Sequence, residues 1–245
     1  MVSSTILGVE LGAGVLAALG LSAGGFAYAA RWPSSWLFGK ALIAPRKPGE
    51  LALTFDDGPN PVWTPRLLDL LAEHNVHASF FSVGQYAARE PELLRRVADA
   101  GHLIGCHSWS HPDLAISSAA RIREELRRSK ETIEQTLGQP LRYFRPPFGS
   151  RRPAVFRIAR EMGLTTVLWN AMTTDWSDPS AEAIASRLRA RIDRLEKKKY
   201  AANIVLHDGA HLDPAAHRAP SINACRLLLE RYVETHRFVR LDAWE

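Results

Sequence analysis

The sequence predicts an α/β protein in which helices cover a parallel sheet. Short apolar runs alternate with longer amphipathic segments from residue 47 to the end of the chain, and this alternation is typical of βα units. Turn signals such as Gly58-Pro59 or polar residues directly follow several of the apolar runs, as expected where strands end and loops begin. The chain has 245 residues, of which 46% are hydrophobic, so it can bury a full core as one α/β domain.

Seven apolar runs are expected to form strands, with six amphipathic helices between them. The predicted strands lie near Leu51–Phe55, Ala78–Val83, Leu103–Cys106, Arg142–Phe144, Thr165–Trp169, Ile204–His207 and Phe238–Leu241. The predicted helices lie near Thr64–His74, Pro91–Ala100, Ala119–Leu137, Pro153–Met162, Ala181–Leu195 and Ser221–His236. Seven strands are too few for a regular eight-stranded barrel.

The segment before this pattern predicts a membrane anchor. Leu11 to Ala30 contains twenty residues without a charge, which is long enough to span a bilayer as a helix. Trp32 and Trp36 follow it at positions that suit interfacial aromatic residues. We therefore expect residues 1–46 to form an anchor helix with a linker, and residues 47–245 to form the α/β domain.

Two other interpretations of the apolar segment remain open. Ala27-Tyr28-Ala29 resembles the A-x-A site of a cleaved secretory signal, although the usual basic residues at the amino end are missing. The segment could instead be a buried helix of a soluble protein. Orientation is also ambiguous, because Lys and Arg occur only after the apolar run, which favours a cytoplasmic domain, whereas large domains can translocate despite such charges.

Composition argues against two classes of protein. The formal net charge of +5 is spread along the chain, without the clustered basic residues and readout elements of a nucleic-acid-binding protein. The cluster Lys197-Lys198-Lys199 is interpreted as a solvated helix end. Cys106 and Cys225 are the only cysteines, too few for a disulfide scaffold, and Cys106 is expected to be a small buried hydrophobic residue.

The most informative motif is TFDDGPNP, which runs from Thr54 to Pro61. An apolar strand leads into it and a glycine-proline turn ends it. Asp56 and Asp57 therefore lie at the carboxyl end of a strand, where parallel α/β folds place their chemistry. An isolated Asp-Asp pair can equally be a turn or a cap, so the interpretation depends on other motifs.

A second motif, HSWSH, follows another apolar run at His107 to His111. Two histidines four residues apart can converge on one metal ion, and a carboxylate completes a three-ligand site with an open position. An open position on such a cation can activate a water molecule or polarise a carbonyl group. Two imidazoles and one carboxylate suit zinc, and cobalt, nickel and manganese fit the same ligands.

Three later motifs place further reactive groups after strands. RPPFG brings Arg145, with a stiff double-proline turn that would orient the backbone N–H of Phe148. WNAMTTDW brings Asp175 beside Trp176. NIVLHD ends in His207, whose imidazole suits proton transfer near neutral pH.

The five motifs, in this order, resemble those of the polysaccharide deacetylase family, which is carbohydrate esterase family 4 and shares the NodB homology domain. The resemblance covers roughly residues 47 to 241 and implies a distorted (β/α) barrel of about seven strands. It implies that Asp56 is the catalytic base, and that Asp57, His107 and His111 bind one divalent metal ion, with zinc expected first. Residues 47–245 would then be the catalytic domain.

The resemblance also implies the roles of the remaining motif residues. Arg145 would orient Asp56, and Asp175 would tune His207 as the catalytic acid. Phe148 stands where the family usually has tyrosine, but the implied role is a backbone N–H on the oxyanion, which phenylalanine supplies equally. Trp176 is expected to form a groove wall, and Leu206 to line a small pocket for the acetyl methyl group. His211 and His217 are interpreted as solvated loop histidines.

The resulting functional hypothesis is a metal-dependent hydrolase that removes N-acetyl groups from an amino-sugar polymer such as peptidoglycan or a chitin-like glycan. The acetylated glycan and the membrane are the expected partners, with no nucleic acid and no protein partner predicted. Such substrates favour an extracytoplasmic catalytic domain, either anchored or secreted after signal cleavage. Alternatives are a deacylase or deformylase of a lipid-linked sugar, an O-acetyl glycan esterase and an inactive glycan-binding module.

Overall fold

A computed structural model describes Gly25, residues 35–177 and residues 180–245. The predicted anchor, Leu11 to Ala30, lies outside these residues except for Gly25, so the anchor stays a prediction. Within the described ranges, no helix combines the length and the hydropathy that crossing a bilayer requires.

The described chain forms one parallel sheet wound into an incomplete (β/α) barrel. Its strands are β1 (Glu50–Asp56), β2 (Ser79–Ser82), β3 (Leu103–Cys106), β4 (Tyr143–Phe144), β5 (Thr165–Thr166), β6 (Ala171–Met172), β7 (Ala202–His207) and β8 (Arg237–Phe238). The strand order is β5-β4-β3-β2-β1-β7-β6, and β8 pairs with β1. Since all pairs are parallel, the carboxyl ends of the strands meet at one rim.

Seven α-helices connect these strands in the described chain. They are α1 (Trp63–Glu73), α2 (Gly84–Arg89), α3 (Pro91–Asp99), α4 (Ala119–Leu137), α5 (Pro153–Glu161), α6 (Ala181–Lys197) and α7 (Ala219–Tyr232). All six predicted helices are confirmed with small differences at their ends. The short helix α2 was not predicted, because six residues are too few to show a helical period.

The predicted strands are also found, with three differences. The predicted strand Thr165–Trp169 is shorter, because Leu168 leaves the ladder and donates its N–H to the carbonyl of Leu42. The strand Ala171–Met172 was not predicted, since two residues carry no readable alternation. The last predicted strand, Phe238–Leu241, occurs one residue earlier as β8 and leads into a 3₁₀ turn at Leu241–Trp244.

Alternation along β1 separates the core from the site. Leu51, Leu53 and Phe55 belong to the large hydrophobic cluster that the helices cover. Thr54 and Asp56, which alternate with them, are buried polar residues. Because successive side chains of a strand point to opposite faces, β1 directs its apolar residues to the helices and its polar residues into the barrel.

Asn203 on β7 connects the segment that precedes β1 to the barrel through hydrogen bonds. Its fully buried side-chain amide donates to the carbonyls of Ile43 (2.9 Å) and Leu168 (2.7 Å). Its backbone N–H donates to Oδ1 of Asn170 at 2.8 Å. One side chain therefore satisfies carbonyl groups from two segments that do not belong to the main ladder.

Replacing Asn203 with Ala should lower the free energy of unfolding by about 2 kcal/mol, because the buried carbonyl of Leu168 and the part-buried carbonyl of Ile43 would lose their donor. Urea denaturation of both proteins measures this difference. Gln135→Ala, which truncates an exposed amide on α4, is the matched control and should change stability little. Equal stability of Asn203→Ala and the control would contradict the proposed structural role of Asn203.

Candidate active site

Site residues from four strands converge at the carboxyl rim of the barrel. Asp56 ends β1, His107 follows β3, Arg145 follows β4 and His207 ends β7. All four lie in or next to a cavity of about 480 Å³, which Asp56, His107 and His207 help to line. The structure thus brings the predicted motifs together at one place.

The three expected metal ligands form a compact buried cluster. Oδ1 of Asp57 lies 3.1 Å from Nε2 of His111 and 3.5 Å from Nε2 of His107. One potential ligand atom from each residue lies within 4.8 Å of the other two. All three residues are at least nine-tenths buried.

The donor set fits a divalent cation. Within the described chain, Oδ1 of Asp57 is buried without a hydrogen-bond partner, which is costly for a carboxylate unless a cation or donor compensates it. One carboxylate and two imidazoles with an open side match a catalytic zinc site. Asp57, His107 and His111 would hold the ion, and the ligand types alone do not separate zinc from cobalt, nickel or manganese.

The protonation of these ligands also suits metal binding. Nδ1 of His107 lies 2.7 Å from the carbonyl of Arg145, which can only accept, so Nδ1 carries the proton and Nε2 presents its lone pair to the cluster. Burial lowers the pKa of His107 to about 4. Burial alone would raise the pKa of Asp57, but the nearby His111, His207 and His107 lower it below its usual range. At neutral pH the site therefore offers a carboxylate and a neutral imidazole.

Left-handed backbone positions shape the ligand loops. Asp57, Ser108 and His111 have φ values of 70°, 64° and 59°, which are uncommon for residues with a Cβ and cluster at functional sites. Beside them, a Cβ at Gly209 would collide with the carbonyl of Asp57. A glycine is therefore required where the loop after β7 meets the loop after β1.

Glu125 on α4 holds the HSWSH loop in this conformation. Its carboxylate accepts hydrogen bonds from the N–H groups of Trp109 (2.9 Å) and Ser110 (2.7 Å). It also accepts from the Ser110 hydroxyl at 2.8 Å and pairs with Arg121 at 2.6 Å. Although Glu125 is only 2% exposed, its charge is satisfied by the loop that carries both histidines.

Asp56 is paired with a buried arginine. Nη1 of Arg145 donates to Oδ1 of Asp56 at 2.7 Å and to Oγ1 of Thr54 at 2.8 Å. The Arg145 guanidinium lies over the ring of Phe81, 4.1 Å from its centroid. Oδ2 of Asp56 is 4.0 Å from Nε2 of His107. The Asp56 carboxylate therefore places Oδ2 next to the Asp-His-His cluster and Oδ1 against Arg145.

His207 and Asp175 form the second charged pair. Nδ1 of His207 donates to Oδ1 of Asp175 at 2.8 Å, and Asp175 is oriented by the Ser221 hydroxyl at 2.6 Å. Burial would lower the pKa of His207, but Asp175, with smaller contributions from Asp57 and Asp56, raises it to about 9. His207 is therefore protonated at neutral pH, and Nδ1 is engaged, so Nε2 is the atom that can deliver a proton.

Aromatic side chains form the walls of the cavity. Phe148, in a left-handed conformation (φ 57°) within a 3₁₀ turn, lies edge-on to His111 with ring centroids 4.6 Å apart. Trp176 lies edge-on to His207 at 5.1 Å. Both are about half exposed, so they can contact a ligand that enters from solvent.

The structure corrects one expectation and adds detail to another. Leu206 is fully buried in the helix-side core, and it is Val205 that lines the cavity. The reason is alternation along β7: His207 faces the site, so Val205 shares its face and Leu206 does not. His211 was expected to be a solvated loop histidine rather than a ligand, and its side chain is 33% exposed and outside the candidate ligand group. It also lines the cavity and stacks on His111 with ring centroids 4.4 Å apart.

Other residues of the site were missed from the sequence. Glu125 could have been found as a single acid among the buried positions Ile122, Leu126 and Ile133 of α4, because a carboxylate is rarely buried unless other groups satisfy its charge. Trp169, Met172, Leu212, Asp213 and Arg218 also line the cavity. No sequence pattern indicated that these residues face the site. His217, in contrast, is exposed, as expected.

Comparison with known proteins agrees with the motifs. A family model described as polysaccharide deacetylase matches residues 44–167. A protein of Bacillus cereus named peptidoglycan-N-acetylglucosamine deacetylase is 32% identical over 214 residues, which cover 86% of this chain and 74% of that protein. A chitooligosaccharide deacetylase of Bradyrhizobium sp. is 38% identical over 158 residues, which cover 64% and 69% of the two chains.

Solved structures show the same fold. The Bc1960 peptidoglycan N-acetylglucosamine deacetylase is 31% identical, covers 83% of this chain and 91% of its own, and superposes with a TM-score of 0.72. A mutant of BA3943, described as a CE4 family pseudoenzyme with restored enzymatic activity, is 25% identical over 83% of this chain and 70% of its own, with a TM-score of 0.74. The barrel and these relatives define a hydrolase of the carbohydrate esterase class. The chain belongs to the polysaccharide deacetylase family.

Replacing Glu125 with Ala should weaken zinc binding by about tenfold, because residues that orient metal ligands typically contribute this much to affinity. Competition with a chromogenic chelator measures the affinity. Glu124→Ala is the matched control, since Glu124 lies on the same helix and pairs at the surface with Arg127. Unchanged zinc affinity in Glu125→Ala would show that the loop keeps its conformation without this carboxylate.

Proposed function

We propose that this protein is a metal-dependent deacetylase that hydrolyses the N-acetyl groups of an amino-sugar polymer or oligomer. The observation that carries the proposal is the coexistence, in one cavity, of a buried Asp-His-His cluster, an arginine-paired Asp56 and an aspartate-paired His207. Amide hydrolysis needs charge stabilisation, a base and an acid, and each need has a matching group here.

A divalent ion held by Asp57, His107 and His111 would supply Lewis acidity toward the attacking water and the acetyl carbonyl. Asp56 takes a proton from the water as the new bond to the carbonyl carbon forms. Arg145 fixes the direction of the Asp56 carboxylate by donating to its Oδ1. The proposed oxyanion donor is the backbone N–H of Phe148, next to His111 at the cavity wall.

His207 completes the reaction from the other side of the scissile bond. When the carbon–nitrogen bond breaks, Nε2 of His207 gives its proton to the departing amine, and acetate and the free amino sugar are released. Asp175 stabilises the imidazolium before transfer. Base and acid are separate residues, as expected for a two-group mechanism.

The proposed substrates are N-acetylated glycans of the peptidoglycan or chitin type. Two observations support this substrate class. Similar proteins are peptidoglycan and chitooligosaccharide deacetylases, and the exposed aromatic rings of Phe148 and Trp176 suit the apolar faces of sugar rings. An extracytoplasmic domain, joined to a membrane through residues 1–46 or secreted, would meet such polymers. Release of formate or a longer acid from a lipid-linked sugar, or loss of an O-acetyl ester, would instead support the alternative functions.

Treatment with a chelator should abolish acetate release from N-acetylated chitooligosaccharides or peptidoglycan fragments, and added zinc or cobalt should restore it. An Asp57→Ala/His107→Ala double variant should stay inactive after the addition. Asp69→Ala, at an exposed position on α1, serves as the control. Mass spectrometry of the products identifies the group lost. Full turnover after chelation would exclude the metal mechanism, and no turnover of any acylated glycan by the metal-loaded wild type would favour an inactive glycan-binding module.

Replacing Asp56 with Asn should reduce kcat by about 10²–10⁴-fold while zinc affinity changes little, because the base is lost and the three ligands remain. Steady-state kinetics and chelator competition on the same preparation separate the two effects. A variant with near-normal kcat would mean that another group accepts the proton of the water.

Asp175→Asn should shift the alkaline limb of the kcat profile to lower pH. The acid form of His207 is required, and the wild-type pKa is raised to about 9, so activity falls as pH rises through that value. Without the carboxylate, burial dominates and the pKa drops, so the loss of activity begins at lower pH. Rates measured from pH 5 to 10 test this, and an alkaline limb at the same pH in both proteins would contradict His207 as the acid.

A further inference from the structure

His111 lacks the hydrogen bond that usually orients a metal-binding histidine. Such histidines commonly donate their second ring N–H to a carboxylate or carbonyl group, as His107 does to Arg145. Nδ1 of His111 is buried and has no hydrogen-bond partner within the described chain. The orientation of this ring must therefore come from another contact.

Ring contacts take the place of that hydrogen bond. His211 lies face to face with His111, with centroids 4.4 Å apart and an interplanar angle of 21°. Phe148 contacts both rings edge-on, at 4.6 Å from His111 and 5.5 Å from His211. The imidazole of His111 is thus enclosed on its face by His211 and at its side by Phe148.

Two hydrogen bonds hold the backbone around His211. The hydroxyl of Tyr86, which is 2% exposed, donates to the His211 carbonyl at 2.7 Å. Nε of Arg218 donates to the carbonyl of Gly209 at 2.7 Å. These two bonds fix the chain on both sides of the stacked ring, so the stack is a built feature of the β7–α7 loop.

His211 does not belong to the ligand cluster itself. The group of mutually close ligand atoms in the described chain contains Asp57, His107 and His111 only. Nδ1 of His211 is 4.0 Å from Oδ2 of Asp57, which is too long for a direct hydrogen bond. Its contribution must come from its ring plane.

We propose that His211 is a positioning residue that holds the ring of His111 in its metal-binding orientation by stacking, and thereby strengthens binding of the divalent ion. The proposal rests on the proposed function only in requiring a metal at the Asp-His-His cluster. It assigns the β7–α7 loop a part in metal affinity, in addition to its place in the cavity wall.

The test compares zinc and cobalt affinities of the wild type with His211→Ala and His211→Phe, by chelator competition. His211→Ala should bind about tenfold more weakly, whereas His211→Phe, which keeps a flat ring, should stay within about threefold of the wild type. His217→Ala is the control, because His217 is an exposed residue of the same loop. Tyr86→Phe should weaken binding in the same direction as His211→Ala, but by less.

The absorption spectrum of the cobalt-loaded proteins distinguishes positioning from ligation. The d–d bands should keep their shape in His211→Phe, because this variant keeps both the stacked ring and the ligand set. A changed band shape in His211→Phe would mean that His211 is itself a ligand, and equal weakening in His211→Ala and His211→Phe would mean that its nitrogens act; either result overturns the proposal, as does unchanged affinity in His211→Ala. Failure of the wild type to bind any divalent metal would instead overturn the metal mechanism under Proposed function.

Discussion

The site depends on one fully buried arginine. Arg145 contacts both Asp56 and the Asp-His-His cluster. Its guanidinium donates to Asp56, and its backbone carbonyl accepts the Nδ1–H of His107. Thr54 also accepts from the guanidinium, and Phe81 packs against its face. A buried guanidinium without an anion would be strongly unfavourable, so Asp56 and Arg145 stabilise each other's charge and are fixed together. The proposed base and one candidate metal ligand thereby share a single anchor.

Strand alternation explains how a barrel of this kind can be both stable and reactive. On β1 and β7, residues of one face pack in the helix-side core, whereas Thr54, Asp56, Val205 and His207 belong to the other face. The apolar face supplies the hydrophobic free energy, and the opposite face can carry polar groups that satisfy each other. The same rule places Val205 rather than Leu206 beside the reacting groups.

The ligand loops store strain that the scaffold must balance. Asp57, Ser108 and His111 adopt left-handed conformations, each of which costs free energy for a residue with a side chain. Glu125 repays part of that cost at the HSWSH loop with hydrogen bonds to consecutive N–H groups. His211, on the β7–α7 loop, stacks on His111 of the same motif. The Asp-His-His cluster is thus contacted by elements far apart in sequence.

The sequence by itself determined the fold class, the order of the long elements and the motif residues, because apolar periodicity and residues at strand ends are local signals. It also indicated that Asp57, His107 and His111 could share an ion, and the structure brings them within ligand distance of one another. Only the tertiary structure decided the roles of Glu125, Val205 and His211. Each of these residues reaches the site because one face of its strand, helix or loop packs against a segment that is distant in sequence. Such packing between distant segments cannot be predicted from a local sequence pattern.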